Sequence, residues 1–182
     1  MPFAGRPGPA PTLLESIVPL LHAGWHPVGA AVAQVVTLPG QVVVSFALVL
    51  LASWKLRAPG WVVTWLLAVA VELVFRHTLT RQPLYRHGVH LVSFDSSWPS
   101  GHALRCSLVA AALAAAWPRL RVLLGIWLAA AVVLLELAGF HTPTDLVGGL
   151  LLATLAVAGA AALEGSGLLR RRAALRRARG GT

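Results

Sequence analysis

Long apolar runs, separated by short basic or polar segments, dominate the chain. Five of them, roughly 39–54, 61–75, 103–117, 122–140 and 146–163, come close to the about 20 helical residues that cross a hydrocarbon core of about 30 Å. The first two are short, and residues 35–38 and 76–79 can extend them by about one turn. Trp54, Trp61, Trp98 and Trp117 fall at the ends of runs, where indole rings anchor at the headgroup level. Ahead of the runs, residues 12–38 are mildly apolar but broken by Pro19, Gly24 and Pro27. That segment reads as one or two helices, partly interfacial, or as a sixth span. The pattern predicts an all-α, integral-membrane helical bundle of five to six spans. No internal repeat is visible, and no polar segment is long enough to fold separately. The expectation is a single membrane domain over 1–182, with an N-terminal part (1–38), a helical core (39–163) and a basic tail (164–182).

Composition supports this class and excludes others. Of the 182 residues, 57% are hydrophobic and 12% charged, values far from those of a soluble globular domain. Lys and Arg number 15 against 6 Asp and Glu, a net charge of +9. The basic residues sit in short clusters between apolar runs, as cytoplasmic loops of membrane proteins do, and not as an exposed stripe interleaved with polar and aromatic residues. Nucleic acid is therefore not an expected partner. Membrane lipids are. Cys106, the only cysteine, lies in an apolar run and has no intrachain disulfide partner. The first ten residues hold three prolines and no Lys or Arg before Arg6, which predicts a retained N-terminus with no secretory signal.

Sidedness follows from basic residues in short loops. Lys55 and Arg57 separate the first two runs, Arg119 and Arg121 the third and fourth, and six arginines at 170–179 follow the fifth. Strict alternation puts all three clusters, including the C-terminal tail, on the cytoplasmic side of a multi-pass protein of the cell membrane. Residues 79–99 and 139–143 then face the extracytoplasmic space. The tail reads equally well as an amphipathic helix on anionic headgroups, with Leu168, Leu169 and Leu175 on its apolar side, or as a solvated segment. Gly148, Gly149, Gly159 and alanine-rich faces suit close helix contact in lipid and leave a homo-oligomer open.

The chemistry-bearing residues gather on that outer side. One group runs from Arg76 and His77 through Arg81, Arg86, His87 and His90 to Pro99-Ser100-Gly101-His102 and Arg105. From Arg76 to Arg105 four arginines face one acid, Asp95, on the side where basic residues are disfavoured, so an anion is expected there. The second group is His141-Thr142-Pro143-Thr144-Asp145, whose His and Asp share a helical face at i and i+4. A carboxylate orients an imidazole through one ring nitrogen and leaves the other as base or nucleophile. His102 follows Ser-Gly at a helix N-terminus, where free backbone N–H groups and the helix dipole favour phosphate. Together these residues make phosphoryl transfer a natural reading. Ser100 is equally an N-cap, and capping is compatible with phosphate contact. Glu72 and Glu136 lie in or near apolar runs, where an ionisable group is functional or paired. Glu136, in the turn before His141, is expected to pair with Arg105 or Arg76. His77, His87 and His90 have no carboxylate or cysteine at metal-ligand spacing, so neither a metal nor another cofactor is expected.

Pro99-Ser100-Gly101-His102 together with His141-x-x-x-Asp145 resembles the second and third signatures of the type 2 phosphatidic acid phosphatase family. The likeness covers roughly residues 72–149, and the order of apolar runs around it fits. It implies a helical phosphatase-like fold and metal-independent hydrolysis of phosphomonoesters or diphosphates. It further implies that His141 is the nucleophile, Asp145 its orienting carboxylate and His102 the acid and base. Ser100, Gly101, Arg76 and Arg81 would hold the phosphate oxygens. Substrates would be lipid phosphates reaching an extracytoplasmic site: a polyprenyl phosphate or diphosphate, a prenyl-linked sugar phosphate, or a phosphatidic acid-like lipid.

The departures are specific. The first signature, Lys, six residues, Arg-Pro, puts Pro83 and Leu84 at Arg-Pro when Arg76 stands for Lys, with Arg81 two residues early. The third opens with Ser-Arg, where this chain has Leu134-Leu135. Arg81, Arg86 or Arg105 would have to substitute, Arg105 lying one turn beyond His102 on the same face. The alternative is a catalytically degenerate member that binds lipid phosphate or a membrane partner.

Overall fold

The computed structural model describes residues 27–79, 85–86, 89–90, 98–138 and 141–180. In order they form α1 (Pro27–Val36), a 3₁₀ turn (Leu38–Gly40), α2 (Val42–Leu56), α3 (Gly60–Thr78) and a two-residue antiparallel ladder of β1 (Tyr85–Arg86) with β2 (Val89–His90). Then follow α4 (Gly101–Ala116), a second 3₁₀ turn (Pro118–Leu120), α5 (Arg121–Leu137) and α6 (Pro143–Gly180). The architecture is helical, as the apolar runs predict.

Three stretches are long and apolar enough to cross a membrane: Gly60–Thr78, Pro118–Leu137 and Pro143–Ala162, of 19, 20 and 20 residues. The two other apolar helices are shorter: α2 has 15 residues and α4 has 16. At 1.5 Å per residue they span about 22 and 24 Å. The expected start of the first run at residue 39 moves to Val42, because Pro39 and Gly40 close a 3₁₀ turn and Gln41 is extended (ψ 144°) before α2 begins. The backbone of α6 is helical through Gly180, so the basic tail continues the last apolar helix.

The exposed surface is apolar. Val43, Leu66, Leu67, Leu123, Ile126, Leu151 and Leu155 all project outward. In water such a surface would be a large unpartnered patch; against hydrocarbon it matches its solvent.

Helix α4 is the core element, buried from Ala103 through Ala110 and packed by α2, α3, α5 and α6. Small residues make this possible: Ala52, Ala68, Ala112, Ala153 and Ala160 join Val49, Trp65, Leu104, Leu108 and Val109 in one buried cluster. One polar pair inside it is satisfied locally, whereas the Trp61 Nε1 has no hydrogen-bond partner among the described residues. Trp65 Nε1 donates to Ser45 Oγ (3.2 Å), which donates to the Val42 carbonyl (3.0 Å).

The two motif segments are joined by backbone. The N–H of Ser100, just before α4, donates to the carbonyl of Asp145 in the first turn of α6 (2.9 Å). Gly148 and Gly149 let that turn approach: a Cβ on Gly149 would lie 2.5 Å from the Ser100 carbonyl oxygen, and one on Gly148 equally close to the Trp98 indole. Trp98 in turn stacks at a tilt on Phe75 of α3, with ring centroids 5.4 Å apart. Three helices thus converge where the sequence places its chemistry.

Candidate active site

His141 precedes α6 and His102 is the second residue of α4. Their ring centroids lie 6.4 Å apart, with planes inclined by 49°. A phosphorus attacked from about 3–3.5 Å, with its leaving oxygen within hydrogen-bond reach of the second imidazole, needs its two reacting nitrogens on the order of 6 to 7 Å apart, which rings at this centroid spacing can supply. The His102 ring is half-buried; His141 is 8% exposed and Asp145 fully buried.

Asp145 serves two neighbours. Its Oδ2 accepts from the Thr142 N–H (3.0 Å), while the Asp145 N–H points back at Thr142 Oγ1 (3.4 Å), a reciprocal cap on α6. The same Oδ2 lies 3.9 Å from His141 Nδ1. That is ion-pair range and too long for a hydrogen bond, and Nδ1 is a buried atom with no hydrogen-bond partner among the described residues. Catalytic hydrogen bonds are often long before substrate is bound and tighten with it. Because Nδ1 faces the carboxylate, Nε2 is the nitrogen free for chemistry.

Burial pushes the His141 imidazole down to about 4; Asp145 opposes the shift, while His102, Arg76 and Arg105 reinforce it. The neutral ring, the nucleophilic form, therefore persists well below pH 6.5. The same shift sets a stability trend. Between pH 6.5 and about 4 the unfolded chain binds a proton at His141 that the folded chain does not, so stability falls as pH is lowered through that window. Thermal unfolding from pH 7 to 4 should show this slope, and His141→Gln should make it shallower; an unchanged slope in the variant would remove His141 as a contributor.

Ser100 caps α4, its Oγ accepting from the Ala103 N–H (3.2 Å), and is fully buried. Beside it lies an Arg–Glu–Arg triad in which Glu72 and Arg105 are buried and Arg76 is half-buried. Glu72 on α3 pairs through Oε1 with Arg76 Nε, one turn on (3.2 Å), and through Oε2 with Arg105 Nη1 of α4 (2.5 Å). Arg105 Nε also donates to the Gly40 carbonyl (2.6 Å), in the turn that precedes α2. That turn is pressed onto α4: a Cβ on Gly40 would lie 2.7 Å from Cys106 Sγ and 3.1 Å from the His102 carbonyl oxygen.

The structure thus brings His102, His141, Asp145, Ser100, Gly101, Arg76 and Arg105 together at one end of the helical core. Arg81 lies outside the described residues. The partner expected for the arginines was Glu136; Glu72 holds both. The reason is geometric, since Glu72 stands at i−4 from Arg76 on the face of α3 turned to the first turn of α4. Gly40 and Thr142 are the contributors sequence reasoning missed. Leu135, at the position of a third-signature arginine, is buried against Ala103 and Leu146. Among the described residues no three His, Cys, Asp or Glu side chains converge as a metal site requires. Comparison with protein-family models, with curated proteins and with solved structures finds no match.

Proposed function

We propose that this protein is an integral-membrane phosphatase that hydrolyses a lipid phosphate through a phosphohistidine at His141. The observation that carries the reading is the pairing of two imidazoles at phosphoryl-transfer distance, one beside a buried carboxylate and the other in the first turn of a helix flanked by arginines. In the first step Nε2 of His141 forms a bond to phosphorus as the bond to the lipid oxygen breaks, and His102 gives that oxygen its proton. In the second, His102 takes a proton from water, whose oxygen displaces His141 and releases inorganic phosphate. Asp145 holds the His141 ring and stabilises its positive charge. The first turn of α4, with Arg76, Arg81 and Arg105, offsets the phosphate charge.

In this reading α2, α3, α4, α5 and α6 all cross the bilayer, α2 and α4 reaching full thickness through their flanking turns. Lys55, Arg57, Arg119, Arg121 and the tail then face the cytoplasm, and the histidines the opposite surface. A lipid phosphate would reach them with its chains still in the bilayer; the substrate is a polyprenyl phosphate or diphosphate, a prenyl-linked sugar phosphate or a phosphatidic acid-like lipid.

A second reading is favoured by one observation: Leu135 fills an apolar cluster where the family's pattern has a phosphate-binding arginine. The chain would then bind a lipid phosphate or a membrane partner without turning it over. Phosphate release from a panel of prenyl and glycerolipid phosphates by the detergent-solubilised protein, with EDTA present, separates the two. Metal-independent release supports the phosphatase; no release from any substrate supports the binding protein.

A further inference from the structure

The most unusual feature of the described residues is an acid that the phosphatase resemblance does not include. Glu72 is 2% exposed on a largely apolar helix, and it is shared by two arginines of which Arg105 is 6% exposed. Two guanidiniums thus share one carboxylate, in surroundings where charge is costly unless it is compensated. The carboxylate also has a particular seat. A Cβ on Gly101 would collide with Glu72 Oε1 and come within 2.8 Å of Arg105 Nη1, so the acid fills the niche left by the missing side chain in the first turn of α4. A helix N-terminus is where an anion is stabilised, and here an anion, the protein's own, already occupies it.

We propose that the Arg76–Glu72–Arg105 triad is an anion cradle in its self-paired state, with the Glu72 carboxylate standing in for a phosphate group that competes with it for both guanidiniums. The proposal rests on the phosphate-site reading above and adds to it an internal competitor that sets affinity. Each guanidinium has five N–H donors. A phosphate can therefore take over the donors facing Glu72 while Arg105 keeps its bond to Gly40. A dianion neutralises the pair of guanidiniums more fully than a carboxylate does, so phosphate and its monoesters, not carboxylates, are the ligands this cradle selects. A competitor of this kind keeps both arginines compensated between turnovers and weakens retention of product phosphate.

The test is thermal unfolding of the full chain in detergent across a titration of inorganic phosphate, at ionic strength held constant with chloride. Glu72→Gln removes the competing charge from both arginines. Without phosphate the variant should unfold at lower temperature than wild type. Phosphate should then raise its Tm by more, with half-saturation about tenfold lower than in wild type, as expected when a charge-assisted contact is freed for the ligand. Half-saturation equal to or higher than wild type, or no phosphate response, would overturn the proposal and make Glu72 a purely structural partner. Should Glu72→Gln not fold, Glu72→Asp withdraws the carboxylate by one methylene. It should shift half-saturation in the same direction by less, and an unchanged or weaker response would overturn the proposal. The two readings fail separately. Tighter phosphate binding by the variant, with no lipid phosphate hydrolysed by wild type, leaves the cradle standing and removes the phosphatase. Hydrolysis by wild type with unaltered phosphate affinity in the variant does the reverse.

Discussion

Replacing His141 by alanine is expected to lower phosphate release by at least about a thousandfold, the order of loss when a covalent nucleophile is removed, and to leave the fold intact. Both halves follow from its surroundings. His141 Nδ1 makes no hydrogen bond among the described residues, and Asp145 has the Thr142 N–H as a separate donor at 3.0 Å. Deleting the ring therefore strands no buried donor or acceptor, the usual source of a large stability loss. The expected change in unfolding at neutral pH is about 1–3 kcal/mol, the cost of the void left by a mostly buried ring. Turnover and thermal unfolding measured on the same preparation decide the matter. A variant that keeps more than a tenth of wild-type release would show that attack on phosphorus does not come from His141.

Arg105 should behave in the opposite way, with a large cost to the fold as well as to activity. Its guanidinium ties α4 to α3 through Glu72 and to the turn before α2 through the Gly40 carbonyl. Arg105→Met keeps much of the volume but leaves Glu72 a buried carboxylate with one of its two cationic partners gone. Breaking a buried pair from one side costs about 3–5 kcal/mol. Arg105→Lys should rescue only part of this, because one ammonium does not reproduce the planar fork that contacts both acceptors. The double variant Glu72→Gln/Arg105→Met should be less destabilised than the two single losses added together, since neither charge is then stranded. Denaturant or thermal unfolding of the four proteins gives the coupling directly. A loss below about 1 kcal/mol in Arg105→Met would mean that the triad is solvated and not a buried determinant of the site.

What the sequence made legible was whatever rests on hydropathy and short spacing. The apolar runs became helices because a chain with so few polar side chains satisfies its backbone internally. The limits moved by a few residues where proline and glycine intervened, as at Pro39 and Gly40, whose 3₁₀ turn delays α2. Ser100 is the N-cap its place before an apolar run suggests. The spacing of His141 and Asp145 put them on one side of a helix start, but their detailed geometry was hidden. Asp145 reaches back to the Thr142 N–H, so the acid read as an orienting carboxylate is also a capping residue. The partner of the arginines was hidden for a different reason. Glu136 is close to His141 in sequence, whereas Glu72 meets Arg105 across 33 positions of chain, and only the packing of α3 on α4 brings them together. Gly40 carries no sequence signal for its contact with Arg105, which uses a backbone carbonyl; its lack of a side chain serves the close approach of its turn to α4.

Attack by His141 leaves a covalent bond between phosphorus and its imidazole, which can be detected chemically. His102→Ala, which lacks the residue proposed to activate water, would be incubated with a prenyl diphosphate, a substrate whose good leaving group needs little help from an acid. The reaction is quenched in alkali, where a phosphohistidine survives, and the peptide carrying residue 141 is weighed by mass spectrometry. The expected result is the mass of one added phosphoryl group on His141, lost on acidification and absent from the His102→Ala/His141→Ala double variant. Phosphate release by wild type without a phosphorylated His141, or a phosphoryl group on another residue, would contradict it.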